Sequence, residues 1–195
     1  PIPVPKRPQR IPELLSREEV ARILGCCGRG KQRMLLTLCY GCGLRLSELV
    51  AVRVRDIDGE RARLRIEQGK GAKDRLVPLS ATLLELLRAY WREHRPKLWL
   101  FPGRAPGSML CQTTVQKLYT RAKGQAGIEK IGGVHALRHA YATHQLEAGL
   151  PVHRLQRLLG HRNIHSTLRY VHWVPDYREG SGSHDLIAAL ERGHD

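Results

Sequence analysis

The sequence lacks any apolar run near the about 20 residues that a bilayer-crossing helix requires. Its longest apolar stretch, "MLLTLCYGCGL", is broken by glycines. The start, "PIPVPKRPQRIPELL", lacks the apolar stretch of a secretory signal. No membrane-spanning helix is expected, and a cytoplasmic location is. The five cysteines are an odd number. Cys39 and Cys42 form one CxxC, but no second pair completes a zinc site. They stand in an apolar helical pattern, which suits reduced core thiols. There is no HExxH, and no carboxylate cluster accompanies His139 and His144, so no metal site is expected. Internal repeats and low-complexity tracts are also missing.

Acids are scarce. Eighteen Asp and Glu face 33 Lys and Arg, for a net charge of +15. That surplus points to a polyanionic partner, nucleic acid before anionic membrane. A hydrophobic content of 42% over 195 residues is enough for a folded core.

The chain opens with proline-rich residues 1–12, which read as an extended linker or arm. Ser16 caps a first helix, with Glu19 completing a capping box. A second helix covers about Gln32 to Gly41, and Ser47 is expected to cap a short third one. Residues 53–78 alternate apolar and polar, with turn signals at Asp58-Gly59 and "GKGAK". They predict a three-stranded antiparallel sheet. Helical patterns follow to the end, with Gly149 and Gly160 as stops. The fold class expected is mainly α with a small three-stranded antiparallel β-sheet.

Four segments carry chemistry. In "YGCGLRLSELV", Arg45 sits at a glycine-flanked break that can aim a guanidinium at a phosphate. Glu48 either orients Arg45 or caps the helix. In "EQGKGAKDR", Lys70 rides a glycine-lined turn able to enter a DNA groove, and Lys73 and Arg75 flank it as phosphate contacts. In "HALRH", His135 and Arg138 share a helix face near its N-terminus, where an anion is favoured. His139, Tyr141 and His144 suit packing or DNA-backbone contact. In "LLGHRNIHSTLRYVHW", His161 leaves a helix end and Tyr170 stands one short helix later, as core aromatic, stacking platform or nucleophile.

Taken in order, these segments over roughly residues 12–175 resemble the catalytic domain of the tyrosine recombinases, the lambda-integrase family, in its Xer-like or transposon-borne branch. The resemblance implies site-specific recombination through a covalent 3′-phosphotyrosine. Tyr170 would be the nucleophile, Arg45 and Arg138 the phosphate clamp, and Lys70 the general acid. His135 would assist as base or phosphate donor, and His161 would fill the second histidine position. It implies no cofactor, neither metal nor ATP, and no small-molecule substrate. The implied partners are double-stranded DNA and further copies of the chain in a synaptic tetramer with C-terminal helix exchange, at the nucleoid. Residues 1–12 would link to a DNA-clamping domain, 13–178 form the catalytic domain, and 179–195 a tail with a protomer-docking helix. Alternatives are a type IB topoisomerase, a catalytically silent DNA-binding factor of the same fold, and a metal-dependent nuclease.

Overall fold

In a computed structural model, residues 10–67, 73–180 and 184–192 are described. Ser16 opens α1 (Arg17–Gly25) with the expected capping box: its Oγ accepts from the Glu19 amide at 3.2 Å, and its own amide donates to Glu19 Oε2 at 2.8 Å. Helix α2 (Lys31–Cys42) is apolar on nearly every side and buries Met34 through Tyr40. A helix with no polar face must be enclosed on all sides. It packs on α1, on α3 (Leu46–Val50), on α4 (Ala81–His94) and on α6 (His135–Glu147). The cap of α3 is Arg45, not Ser47 as expected, because the chain leaves Gly43 in a left-handed turn and reaches helical geometry one residue after Arg45.

A 3-10 turn (Val54–Asp56) leads into the sheet. Its strands are β1 (Ile57–Asp58), β2 (Arg63–Ile66) and β3 (Arg75–Pro78), antiparallel in the order β1-β2-β3. Arg63 pairs with Pro78 and Ile66 with Arg75. The expected sheet is therefore present, with its first strand cut to two residues. Helix α5 (Gln112–Gln125) packs against α1 and α3. Helices α7 (Val152–Leu159) and α8 (His165–His172) pack on α6, and α7 also meets β3. Finally α9 (Leu186–Arg192) buries Leu186, Ile187 and Leu190 against α1, α2, α4 and α6 of its own chain. Cys39 and Cys42 are buried free thiols, each pushed up to about 12 chiefly by burial. His144 is a core residue, bonded to the Tyr40 hydroxyl at 2.8 Å and to the Leu15 carbonyl at 2.8 Å.

Gly43 is where the core and the later site meet. Its φ is +62°, and a Cβ there would lie 2.3 Å from the Tyr141 ring. Gly43→Ala should lower the urea-denaturation stability by at least the about 1–3 kcal/mol of a left-handed non-glycine residue. An unchanged midpoint would contradict this packing.

Candidate active site

Glu48 lies at the centre. Its side chain is 9% exposed and faces three arginines. Arg45 donates from its backbone amide to Oε2 at 2.9 Å and from Nη1 to Oε1 at 3.0 Å. Glu48 thus does both things considered for it, capping α3 and orienting Arg45. Arg75 forks onto the carboxylate, Nη1 to Oε1 at 2.7 Å and Nη2 to Oε2 at 2.8 Å. Arg138 Nη1 stands 4.0 Å from Oε2. Burial pushes the Glu48 carboxyl up, but hydrogen bonds and charge from Arg75, the Arg45 amide and Arg138 outweigh it and hold the group at about 2. Three guanidinium groups around one carboxylate leave the cluster cationic.

Arg138 is fixed by two helix ends. Nη1 donates to the Gly43 carbonyl at 2.7 Å, where α2 stops, and Nη2 to the Leu159 carbonyl at 2.8 Å, the last residue of α7. Terminal helix carbonyls have no intrahelical donor and favour a cation. Burial, then the charge of Arg45, lowers the Arg138 pKa to about 10, with Glu48 opposing, so Arg138 is a cation at neutral pH.

His161 follows Gly160, the left-handed end of α7. Its Nε2 is 3.3 Å from Arg138 Nη2 and its Nδ1 is 2.8 Å from Thr167 Oγ1. A guanidinium only donates, so Nε2 accepts and Nδ1 carries the proton toward Thr167. This neutral tautomer agrees with a pKa lowered to about 4, by burial first and then by Arg138 and Arg45.

Tyr170, on α8, is fully buried. Its ring is parallel to that of His161 at 6.3 Å and edge-on to Trp173 at 5.0 Å. Its hydroxyl is hydrogen-bonded to His139 Nδ1 at 2.9 Å. Burial, then His135, Arg169 and Arg138, lowers the His139 pKa to about 4. His135 is exposed at the first position of α6, edge-on to His139 at 5.4 Å. Arg45, Arg138, His161 and Tyr170, with His135 beside them, are thus drawn into one region.

Two expectations are corrected. Arg75 does not flank a turn as a phosphate contact: β3 buries alternate residues, and the 8%-exposed Arg75 side chain points inward to Glu48. The signal was the alternation back from Leu79 and Val77, obscured by the apolar but exposed Leu76. His139 turns to Tyr170 rather than outward to a DNA backbone. Lys73 is exposed as expected, and Lys70 lies outside the described residues. Thr167, Arg169 and Trp173, which the sequence did not single out, surround the tyrosine: Arg169 lies 5.2 Å over the Tyr170 ring. No group of three or more His, Cys, Asp and Glu among the described residues is arranged to hold a metal, and none of their helices is long and apolar enough to cross a membrane.

A mostly helical domain with one small antiparallel sheet, carrying arginines and histidines around a helix-borne tyrosine, has the fold of tyrosine recombinase catalytic domains. The profile of the Phage integrase family matches residues 13–175, and the chain belongs to that family. A Sinorhizobium fredii protein named as an integrase/recombinase is 47% identical over 170 residues, covering 87% of this chain and 55% of that protein. Tyrosine recombinase XerA of Thermococcus onnurineus is 40% identical, covering 85% of this chain and 60% of that protein. The chain therefore spans little more than half the length of these two relatives. Among solved structures, the XerH site-specific recombinase bound to its difH substrate, in a pre-cleavage complex, superposes with a TM-score of 0.73 at 27% identity, covering 84% of this chain and 51% of that one.

The shifted groups set the pH response. Glu48 falls from 4.5 to about 2 on folding, so its stabilisation is present above pH 4.5 and lost as pH drops toward 2. His161 and His139 fall from 6.5 to about 4, so theirs is present above pH 6.5 and lost on the way down to 4. Acid unfolding should begin below pH 6.5, and Glu48→Gln should flatten only the limb below pH 4.5. Urea titrations from pH 8 to 3 check this; stability independent of pH would contradict it.

Proposed function

We propose that this domain cuts and rejoins duplex DNA at specific sites through a covalent phosphotyrosine. The carrying observation is the convergence of Arg138, His161 and the Tyr170 hydroxyl beside the Glu48-held Arg45. The named activities of the relatives, and XerH captured on its DNA substrate, support it.

In the proposed reaction the Tyr170 oxygen attacks a backbone phosphorus. A phosphotyrosine bond forms to the 3′ side and the bond to the 5′-oxygen breaks, releasing a 5′-hydroxyl. Arg45 and Arg138 hold the non-bridging oxygens and stabilise the charge that builds in the transition state. The phenol proton leaves to His135, the exposed imidazole edge-on to His139 at 5.4 Å, once the ring has given up its hydrogen bond to His139. Lys70 protonates the departing 5′-oxygen. Attack by the 5′-hydroxyl of another strand reverses every step, so the phosphodiester energy is conserved. Because Tyr170 is buried, its ring must swing out from Trp173 and exchange the His139 bond for the phosphate. Assembly of four copies on two DNA sites, with α9 exchanged between copies, belongs to the same proposal.

Tyr170→Phe should abolish covalent adducts with a pool of nicked duplexes, scored on denaturing gels, while DNA binding persists. Adducts from that variant would move the nucleophile elsewhere. Arg45→Ala and Arg138→Ala should each slow adduct formation about 10²–10³-fold, the scale for a lost transition-state donor. Wild-type rates in folded protein, checked by circular dichroism, would refute the clamp. Relaxation of supercoiled DNA by single copies, on DNA without a site, would favour the topoisomerase alternative.

A further inference from the structure

Arg75 is a buried cation that the reaction above does not use. Its three contacts join three separate segments. From β3 it grips Glu48 at the start of α3 with both Nη atoms, at 2.7 and 2.8 Å. Its Nε donates to the Leu158 carbonyl at 2.8 Å, in the last turn of α7. The Arg75 side chain also stands close against the turn before His161, since a Cβ on Gly160 would meet Arg75 Nη1 at 3.0 Å. Two adjacent carbonyls at the end of α7, Leu158 and Leu159, are thus held by Arg75 and Arg138 respectively.

A fork engaged this way has little left to offer DNA. Its effect on the other arginines is more direct. A carboxylate that accepts a bidentate fork is held in one plane. Held so, Glu48 takes Arg45 through Nη1 at 3.0 Å and stays 4.0 Å from Arg138. With Arg75 gone, the carboxylate would turn onto Arg45 or Arg138 and draw their donors away from a phosphate. The Leu158 carbonyl would lose its donor, and the His161 turn would loosen.

We propose that Arg75 is a positioning residue for DNA cleavage: by occupying Glu48 and the end of α7, it keeps Arg45, Arg138 and His161 directed at the scissile phosphate without touching DNA. This rests on the strand-cleavage reading above.

The test compares the wild-type protein with Arg75→Met, Arg75→Lys and the double variant Arg75→Met/Glu48→Gln. Two quantities are read on the nicked-duplex pool: the rate of covalent adduct formation at saturating protein, and the slope of log binding constant against log salt. Arg75→Met should lose about 10²-fold in rate, the scale of a reacting group displaced by an ångström, at an unchanged salt slope. Arg75→Lys should lose less, because an ammonium keeps the charge but not the fork. Adding Glu48→Gln to Arg75→Met should restore part of the rate, since a neutral amide no longer competes for Arg45 and Arg138. A purely structural residue would show no such restoration, and its rate loss would equal its loss of folded protein; that result overturns the proposal. A phosphate contact would reduce the salt slope by about 0.9, which also overturns it. If Arg75→Met does not fold, Arg75→Lys decides: a slower rate at wild-type slope supports the proposal, and wild-type rate overturns it. Wild-type adducts with Arg75→Met cutting at full rate would sink the Arg75 role alone. No adduct from the wild-type protein would sink the cleavage reading and this proposal together.

Discussion

The Glu48 carboxylate is the interaction on which the site depends. A buried carboxylate is tolerable only when paired and hydrogen-bonded, and leaving such a charge with one partner removed costs about 3–5 kcal/mol. Here the pairing is met from three elements: the cap of α3, strand β3 and helix α6. One acid therefore dictates where three guanidinium groups stand. Because the acid is outnumbered, the cluster keeps a positive surplus. Under the proposed reaction, the same arrangement that stabilises the fold would seat the phosphate.

Helix ends do the rest of the positioning. Arg138 bridges the terminal carbonyls of α2 and α7, so two helices fix one guanidinium. His161 leaves α7 through the left-handed Gly160 and is locked between Arg138 and Thr167. Tyr170 sits one short helix beyond, its ring between His161 and Trp173. The phenol is thereby kept out of water and hydrogen-bonded to His139. Two of the site's histidines are neutral near pH 7 for the same reason: burial beside arginines disfavours a further charge.

Much of this was legible in the sequence. The capping box at Ser16 and Glu19, the Asp58-Gly59 turn signal between β1 and β2 and the glycine stops after α6 and α7 are local signals, and local signals survive folding. Arg45, Arg138, His161 and Tyr170 were singled out by residue type and order along the chain, and the fold brings them into one region. The inward turn of Arg75 was not legible. A strand reveals its buried face by alternation, and in "RLVPL" two adjacent apolar residues give both faces equal claim. Nor was the His139–Tyr170 bond, since the α6–α8 crossing that creates it leaves no mark at either position. The placing of Arg45 rather than Ser47 at the head of α3 shows tertiary demand overriding a good capping residue.

In the proposed reaction the phenol of Tyr170 becomes bonded to DNA phosphorus. Trapping the protein on nicked duplexes, digesting it, and locating the nucleotide-bearing peptide by mass spectrometry reads that bond directly. The expected result is a phosphodiester on the peptide carrying Tyr170. A linkage on any other side chain, or adducts whose yield is indifferent to the Glu48 cluster, would contradict it.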